Sequence, residues 1–100
     1  MAMRWDLLVL HPEDDVAVAL RDLEAGEAIA RCGEALAPLQ LCAPVPLGHK
    51  VARHAIEPGQ HVRKYGAVIG EATAPIAAGA HLHVHNMRSL RARKRGEEQQ

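Results

Sequence analysis

Residues 14–25 read Asp14-Asp15-Val16-Ala17-Val18-Ala19-Leu20-Arg21-Asp22-Leu23-Glu24-Ala25, with Gly26 directly after them. Whether this stretch is helix or strand decides the fold. As a helix it sets Val16, Ala19, Leu20 and Leu23 on one face, with an acidic start and a closing glycine, and local propensity favours that reading. As a strand it sets Val16, Val18 and Leu20 on one face and Ala17 and Ala19 on the other. The glycine at its end is the deciding feature.

A short pattern around glycine punctuates the chain three times. Leu23, Gly26 and Ile29 place an aliphatic residue three positions to either side of a glycine, as do Ile56, Gly59 and Val62, and Ile76, Gly79 and Leu82. Glycine tolerates positive φ, so each copy suits a tight turn that tucks both flanks into one core. The second and third copies come after non-helical segments, which tips 14–25 towards strand. Their uneven spacing argues against a solenoid and for one compact domain. Residues 7–10, 39–42 and 67–69 are short aliphatic runs bounded by Pro or Gly and read as further strands. Residues 81–85, His-Leu-His-Val-His, alternate with period two. Leu82 and Val84 are expected to face the core there, and His81, His83 and His85 to share the other face.

One hundred residues fit one domain. Hydrophobic types make up 48% of them, but eighteen are alanine, Val, Leu and Ile together supply twenty-three, and Phe is absent. That core is adequate in number and thin in bulk. A chain of this length leaves roughly a third of its unfolded surface exposed, so a subunit or module is expected rather than a self-sufficient enzyme.

Twelve Lys plus Arg balance twelve Asp plus Glu, yet the charges are segregated. Residues 1–87 hold ten acids and seven bases, whereas from Arg88 onward five bases stand against Glu97 and Glu98. Residues 1–88 thus read as the domain and 89–100 as a basic, flexible tail. A basic arm can bind phosphate backbones, but this one has no aromatic residue for base stacking, which disfavours nucleic acid as a partner. Cys32 and Cys42 are too few for a disulfide framework or a four-cysteine zinc site. A reducing cytoplasm is their simplest home. If 28–43 is a hairpin turning near Ala37 and Pro38 the thiols face each other; otherwise they are two small buried hydrophobes. Arg4 and Asp6 interrupt any signal peptide. The longest uncharged stretch, 35–48, carries three prolines and falls short of the roughly 20 apolar residues of a membrane span.

Seven histidines are many for this length, and chemistry is expected among them. On one strand, His81, His83 and His85 would stand about 7 Å apart in succession, so all three reaching one ion is strained. Two from this strand with further ligands from elsewhere is the easier arrangement. Imidazole suits Zn, Fe, Ni and Cu, and a polar outer surface is the plain alternative. Asn86 offers an amide to a hydroxyl or carboxylate, and Lys50 and Lys64 offer cations to an acidic substrate. His11, ahead of Pro12, is expected at a strand mouth, while His54 and His61 read as surface residues.

Four stretches carry a resemblance that covers most of the chain, from about Leu7 to Arg88. They are His-Pro-Glu-Asp-Asp-Val-Ala-Val-Ala-Leu at 11–20, Gly-His-Lys-Val-Ala at 48–52, Lys-Tyr-Gly at 64–66 with Ile69-Gly70, and His-Leu-His-Val-His-Asn at 81–86. In this order they resemble the small N-terminal module of the altronate/galactarate dehydratase family, a SAF-type domain. The resemblance implies a mainly β, β-clip fold, and so a strand over 14–25. It also implies loss of water from a sugar acid to give a 2-keto-3-deoxy acid. The small module would act beside a large dehydratase subunit, with a divalent metal such as Fe(II) or Mn(II) held mainly by that subunit. A chain ending at Gln100 looks like the separate small subunit, and association with further copies of itself stays open. His83, His85 and Asn86 are then the candidate catalytic residues, and His11, Lys50, Lys64 and Tyr65 the candidate substrate contacts. His81, His83 and His85 are the candidate metal ligands. Two departures stand out: Asp14-Asp15 where the family pattern has Asp-Asn, and Arg53-His54 where an aliphatic residue is more usual.

The sulfolactate sulfo-lyase small subunit is also similar, through the His-Lys-Val-Ala, Lys-Tyr-Gly and histidine-rich segments; there sulfite leaves in place of water. From other classes, a stand-alone ligand- or metal-binding module and a nucleic-acid-binding β module remain alternatives.

Overall fold

The computed structural model describes residues 5–83 and 85–90. Among them are eleven short strands and no helix, so none crosses a membrane as a helix. The strands are β1 (Leu7–Leu8), β2 (Val16–Ala19), β3 (Gly26–Ala28), β4 (Ala30–Cys32), β5 (Glu34–Ala35), β6 (Leu39–Leu41), β7 (Lys50–Ala52), β8 (His61–Lys64), β9 (Ala67–Ala72), β10 (His81–Leu82) and β11 (Met87–Ser89). They form a six-stranded sheet in the order β10-β7-β2-β1-β4-β5, a three-stranded sheet β11-β9-β8 and the pair β3-β6. Only β1 with β4 is parallel among the described pairs. The expected β class holds, and pairing continues to Leu90, whose N–H donates to the Ile69 carbonyl (3.0 Å). The basic tail from residue 91 lies outside the described residues.

Residues 16–19 are strand because they feed two cores at once. Val16 packs with Ala52, Ile56, Val62, Ile76 and Leu82, while Ala17 and Ala19 pack with Leu7, Leu23, Val45 and Val51. A helix offers one apolar stripe, whereas the two faces of a strand reach both clusters. Leu20, which the helix reading would bury, is exposed. Tertiary pairing of β2 between β1 and β7 therefore overrides local propensity.

The glycine turns have a common geometry, though not in the three places the spacing suggests. Gly48, Gly59 and Gly79 sit at φ of 85°, 87° and 84°. Each turn closes by an N–H donated three residues back, from His49 to Pro46, Gln60 to Glu57 and Ala80 to Ala77. Positive φ at the third position is the signature of a type II turn. Each glycine N–H donates to an alanine carbonyl at 2.8 Å, of Ala19, Ala72 and Ala52 respectively. That same alanine N–H donates to the carbonyl of the residue after the glycine. All three alanines are buried, so the alanine-rich core lets turn backbones lie directly on strands. Gly26 is different: it opens β3 at φ 125° and makes no such turn. The third clamped turn belongs instead to Val45, Gly48 and Val51, which share the same spacing and were not picked out from sequence. Leu23 bridges Val45, as Ile56 bridges Ile76.

The 28–43 excursion also differs from expectation. β3 pairs with β6, but inside them β4 and β5 form their own hairpin around Gly33. Both thiols are free, with Cys32 half-buried and Cys42 exposed near the Ala78 carbonyl. They do not form the facing pair.

Candidate functional site: a histidine face beside two lysines

The histidine segment is a strand only through Leu82. Asn86 ends it: its side-chain oxygen accepts the His83 N–H (3.0 Å) and its amide nitrogen donates to the His81 carbonyl (3.0 Å). The backbone N–H groups of Asn86 and Met87 both donate to the His83 carbonyl. Such local side-chain bonding competes with a strand ladder. Asn86 is buried, and its amide is turned into this loop, so it shapes the loop rather than facing outward as a catalytic candidate. The expected inward placement of Val84 lies outside the described residues.

The turn draws the imidazoles closer than an extended strand allows. Ring centroids are 5.7 Å apart for His81 and His83, and 6.3 Å for His85 to each of them. A fourth histidine joins them that the sequence alone did not single out. His49 stands between the Gly48 turn and β7, and β7 pairs with β10, Val51 opposite His81. Its Nδ1 lies 2.8 Å from His81 Nε2, and its ring stacks on His83 at 6.2 Å and 5°. The Gly-His-Lys-Val-Ala motif was the available signal, taken only as a family marker.

The lysines and Tyr65 continue this face. Burial, then the neighbouring Lys64 charge, pushes the Lys50 ammonium below its ordinary range. Lys64 lies 5.6 Å from the Tyr65 ring centroid. Tyr65 is 69% exposed and takes φ 60°, a conformation costly for a residue with a side chain. What holds it is Asp14, only 2% exposed, which accepts the Tyr65 and Gly66 N–H groups at 2.9 and 2.8 Å. His11 packs against Gly66, where an added Cβ would meet its ring at 3.2 Å. Lys64 thus lies by Tyr65 and His11 by the adjacent Gly66, while Lys50 is linked to Lys64 and to His81 through the mutual influence of their charges. No ion pair engages either lysine among the described residues.

The two departures from the family pattern meet each other. His54 Nε2 lies 2.9 Å from Asp15 Oδ1, and the Arg53 guanidinium donates to the Asp14 carbonyl at 2.8 Å. The other Asp15 oxygen accepts the Arg63 N–H. His54 and His61 are both exposed as expected, and His54 in addition partners Asp15. A separate cleft of about 270 Å³, lined by Ala17, Ala30, Leu36, Pro38 and Arg53 among others, contains no candidate residue.

Do these rings suit a divalent metal? Among the described residues no three His, Cys, Asp or Glu side chains yet close on one point. The His81, His83, His85 trio does not converge, and the 2.8 Å contact between His49 Nδ1 and His81 Nε2 is a hydrogen bond between the two rings, so the imidazoles as placed do not make up a ligand set by themselves.

Burial, then electrostatic interaction with the neighbouring His49, His83, His85 and Lys50, lowers the His81 pKa from its ordinary 6.5. The unfolded chain thus takes up this proton first on acidification. The stability linked to neutral His81 is complete above pH 6.5 and is lost as pH falls through the lowered folded value. Thermal melts should show less stability at pH 5 than at pH 7.5, and His81→Gln should flatten that dependence; an unchanged slope would contradict it.

The chain is 44% identical over 80 residues to altronate dehydratase of Escherichia coli, covering 80% of this chain and 16% of that protein. Against altronate dehydratase of Bacillus subtilis the identity is 35% with the same coverage. It is 30% identical over 88 residues to (2R)-sulfolactate sulfo-lyase subunit alpha of Chromohalobacter salexigens, covering 83% of this chain and 94% of that one. The chain spans about a sixth of the length of the altronate dehydratases it matches. The profile described as "Altronate/galactarate dehydratase SAF domain" matches residues 5–90, almost all the residues in which strands, turns and histidine face lie, and the chain belongs to that family.

Proposed function

We propose that the chain is the small subunit of a hydro-lyase that dehydrates an altronate- or galactarate-like sugar acid to a 2-keto-3-deoxy acid, with a separate large subunit. The observation that carries this reading is the open face itself: four imidazoles beside two ammonium groups that make no ion pair among the described residues. An acidic substrate is attracted there, but the exposed rings of His83 and His85 need a second surface to exclude water. The near-complete coverage of a sulfo-lyase alpha subunit supports the two-chain arrangement.

In this reading Lys50 and Lys64 draw the substrate carboxylate to the face, and His11 and Tyr65 border it. Elimination needs a base for the proton α to the carboxylate and an acid for the departing β-hydroxyl. His81, kept neutral by its surroundings, takes up the proton in this reading, and His83 and His85 serve the leaving group. A divalent metal such as Fe(II) or Mn(II), held mainly by the large subunit, would polarise carboxylate and hydroxyl as a Lewis acid. The cytoplasm is the compartment this chemistry suits.

The test is reconstitution. Alone, the chain should not dehydrate altronate or galactarate; with the large lyase chain of the same organism, turnover should appear. Replacing His83 and His85 together by Ala should cut turnover of the assembled complex by about 10²-fold with the fold intact. Full activity of the isolated chain would sink the subunit reading. The sulfo-lyase relative favours a second reading, with sulfolactate as substrate and sulfite leaving; assaying the same complex for sulfite release decides between them.

A further inference from the structure

We propose that the cleft between β2 and the 36–39 segment is a binding site for a small monocarboxylate with an apolar body, and that Arg53 receives its carboxylate. The site is separate from the histidine face and does not depend on the lyase reading.

The cleft is apolar except at one residue. Apart from Arg53, every residue that lines it is alanine, leucine or proline. Ala17 and Ala30 are buried at its base, and Leu36 and Leu39 pack against the same core from the side. Two methyl groups at the base leave space that longer side chains would fill. The wall is tied to the base by the backbone, since Leu36 donates its N–H to the Ala30 carbonyl at 2.9 Å. At about 270 Å³ the space lies near the lower end of ligand pockets, about 300–1,000 Å³, so its occupant is small.

Strand register brings the charge there. Ala17 of β2 pairs with Val51 of β7, and Arg53 extends that pairing by donating its N–H to the Asp15 carbonyl. Two residues on from Val51, Arg53 projects on the face that Ala17 and Val51 share. Its guanidinium is only partly engaged. Nη1 donates to the Pro12 and Asp14 carbonyls at 3.2 and 2.8 Å, which accounts for both of its hydrogens. Nε and Nη2 have no hydrogen-bond partner among the described residues, and together they form an edge that takes a carboxylate bidentately. Neither neighbouring acid competes for that edge. The Asp14 carboxylate is committed to the Tyr65 and Gly66 N–H groups, and that of Asp15 to His54 and the Arg63 N–H. No ion pair engages Arg53 among the described residues.

The two parts together define the ligand. Its carboxylate sits on the free guanidinium edge, and a short hydrocarbon chain lies against the alanines and leucines. A polyhydroxy acid is refused, because no side chain in the cleft except Arg53 can pair its hydroxyl groups. Sugar acids therefore belong to the histidine and lysine face alone.

The experiment is calorimetric titration of the full chain at pH 7.5 with hexanoate, acetate, hexan-1-ol and galactarate, joined to amide chemical-shift mapping by NMR. Hexanoate should bind about tenfold more tightly than acetate, which lacks the apolar body, and than hexan-1-ol, which lacks the charge. Galactarate should not displace it. Amide signals of Ala17, Ala30, Leu36 and Arg53 should shift, and those of His49 and His81 should stay. Arg53→Gln should weaken hexanoate by about tenfold and leave hexan-1-ol unaltered, with Arg53→Lys, which keeps the charge without the fork, in between. If Arg53→Gln melts early, Leu36→Gln, which leaves the guanidinium in place, is expected to show a comparable loss of hexanoate. The proposal is overturned if hexanoate does not bind, if acetate or hexan-1-ol binds as well, if galactarate competes, or if the shifts centre on the histidines. Both Arg53 variants binding hexanoate as the parent does would also overturn it. Hexanoate in the cleft, with a reconstituted complex that dehydrates no sugar acid, upholds the site and sinks the lyase reading. Dehydration by the complex, with no hexanoate bound by the chain, does the reverse.

Discussion

Gly79→Ala should destabilise the protein far more than Gly59→Ala. Both glycines occupy the same position of the same turn, at φ 84° and 87°, so both substitutions incur the left-handed strain of about 1–2 kcal/mol. Their surroundings differ. A Cβ on Gly59 meets nothing within 4 Å, whereas on Gly79 it would stand 1.9 Å from the Gln40 carbonyl oxygen and 2.9 Å from its carbon. Those are backbone atoms of β6, and Cys42 donates its N–H to the Gly79 carbonyl from the same strand end. Relief thus requires prising the β3–β6 pair off the 77–80 turn. A loss of about 4 kcal/mol or more is expected, a large part of the about 5–15 kcal/mol that a domain possesses. Urea denaturation of the two variants checks this; equal losses would show that the close approach at Gln40 costs nothing.

Asp14→Ala is expected to cost about 3 kcal/mol and to loosen the lysine end of the candidate site. Its carboxylate accepts two N–H groups, and removal leaves both without a partner inside the fold. Tyr65 then loses the contact that holds it at φ 60°. Asp14→Asn keeps one acceptor oxygen and should lose about half as much. By contrast Asp15→Asn, near the exposed His54, should cost less than about 1 kcal/mol. Denaturation gives the energies, and hydrogen exchange at Tyr65 and Gly66 should accelerate selectively in Asp14→Ala. Unaltered exchange there would refute the anchoring role.

Much of this was legible from residue order. The glycine spacing identified two of the three clamped turns, and the resemblance correctly put strand rather than helix within 14–25, where propensity favoured helix, although the strand covers only Val16–Ala19. Propensity failed because Val16 and Ala17 serve opposite cores, a long-range fact. Of the candidate contacts, Lys64 and Tyr65 are neighbours and His11 packs beside them on Gly66. His49 was missed because its partnership with His81 depends on the β7–β10 register. The end of the histidine strand was missed because alternation says nothing of an Asn86 side chain bonding backwards. Asp15 and Arg53-His54 looked like two separate oddities, yet they are two ends of one contact.

The Asp14 anchor also bears on how the protein is made. Its acceptor oxygens wait for a backbone N–H 52 positions downstream. At ribosomal speeds of about 5–20 residues per second, that interval is on the order of 3–10 s. Throughout it β2 has β1 on one side, while β7 and the 65–66 turn have yet to be synthesised or to fold back. An emerging Val-Ala-Val-Ala edge is open to strand addition by other nascent chains. Slower translation of residues 20–66 should therefore raise the aggregated fraction in cells, and engagement by a chaperone during that interval should lower it.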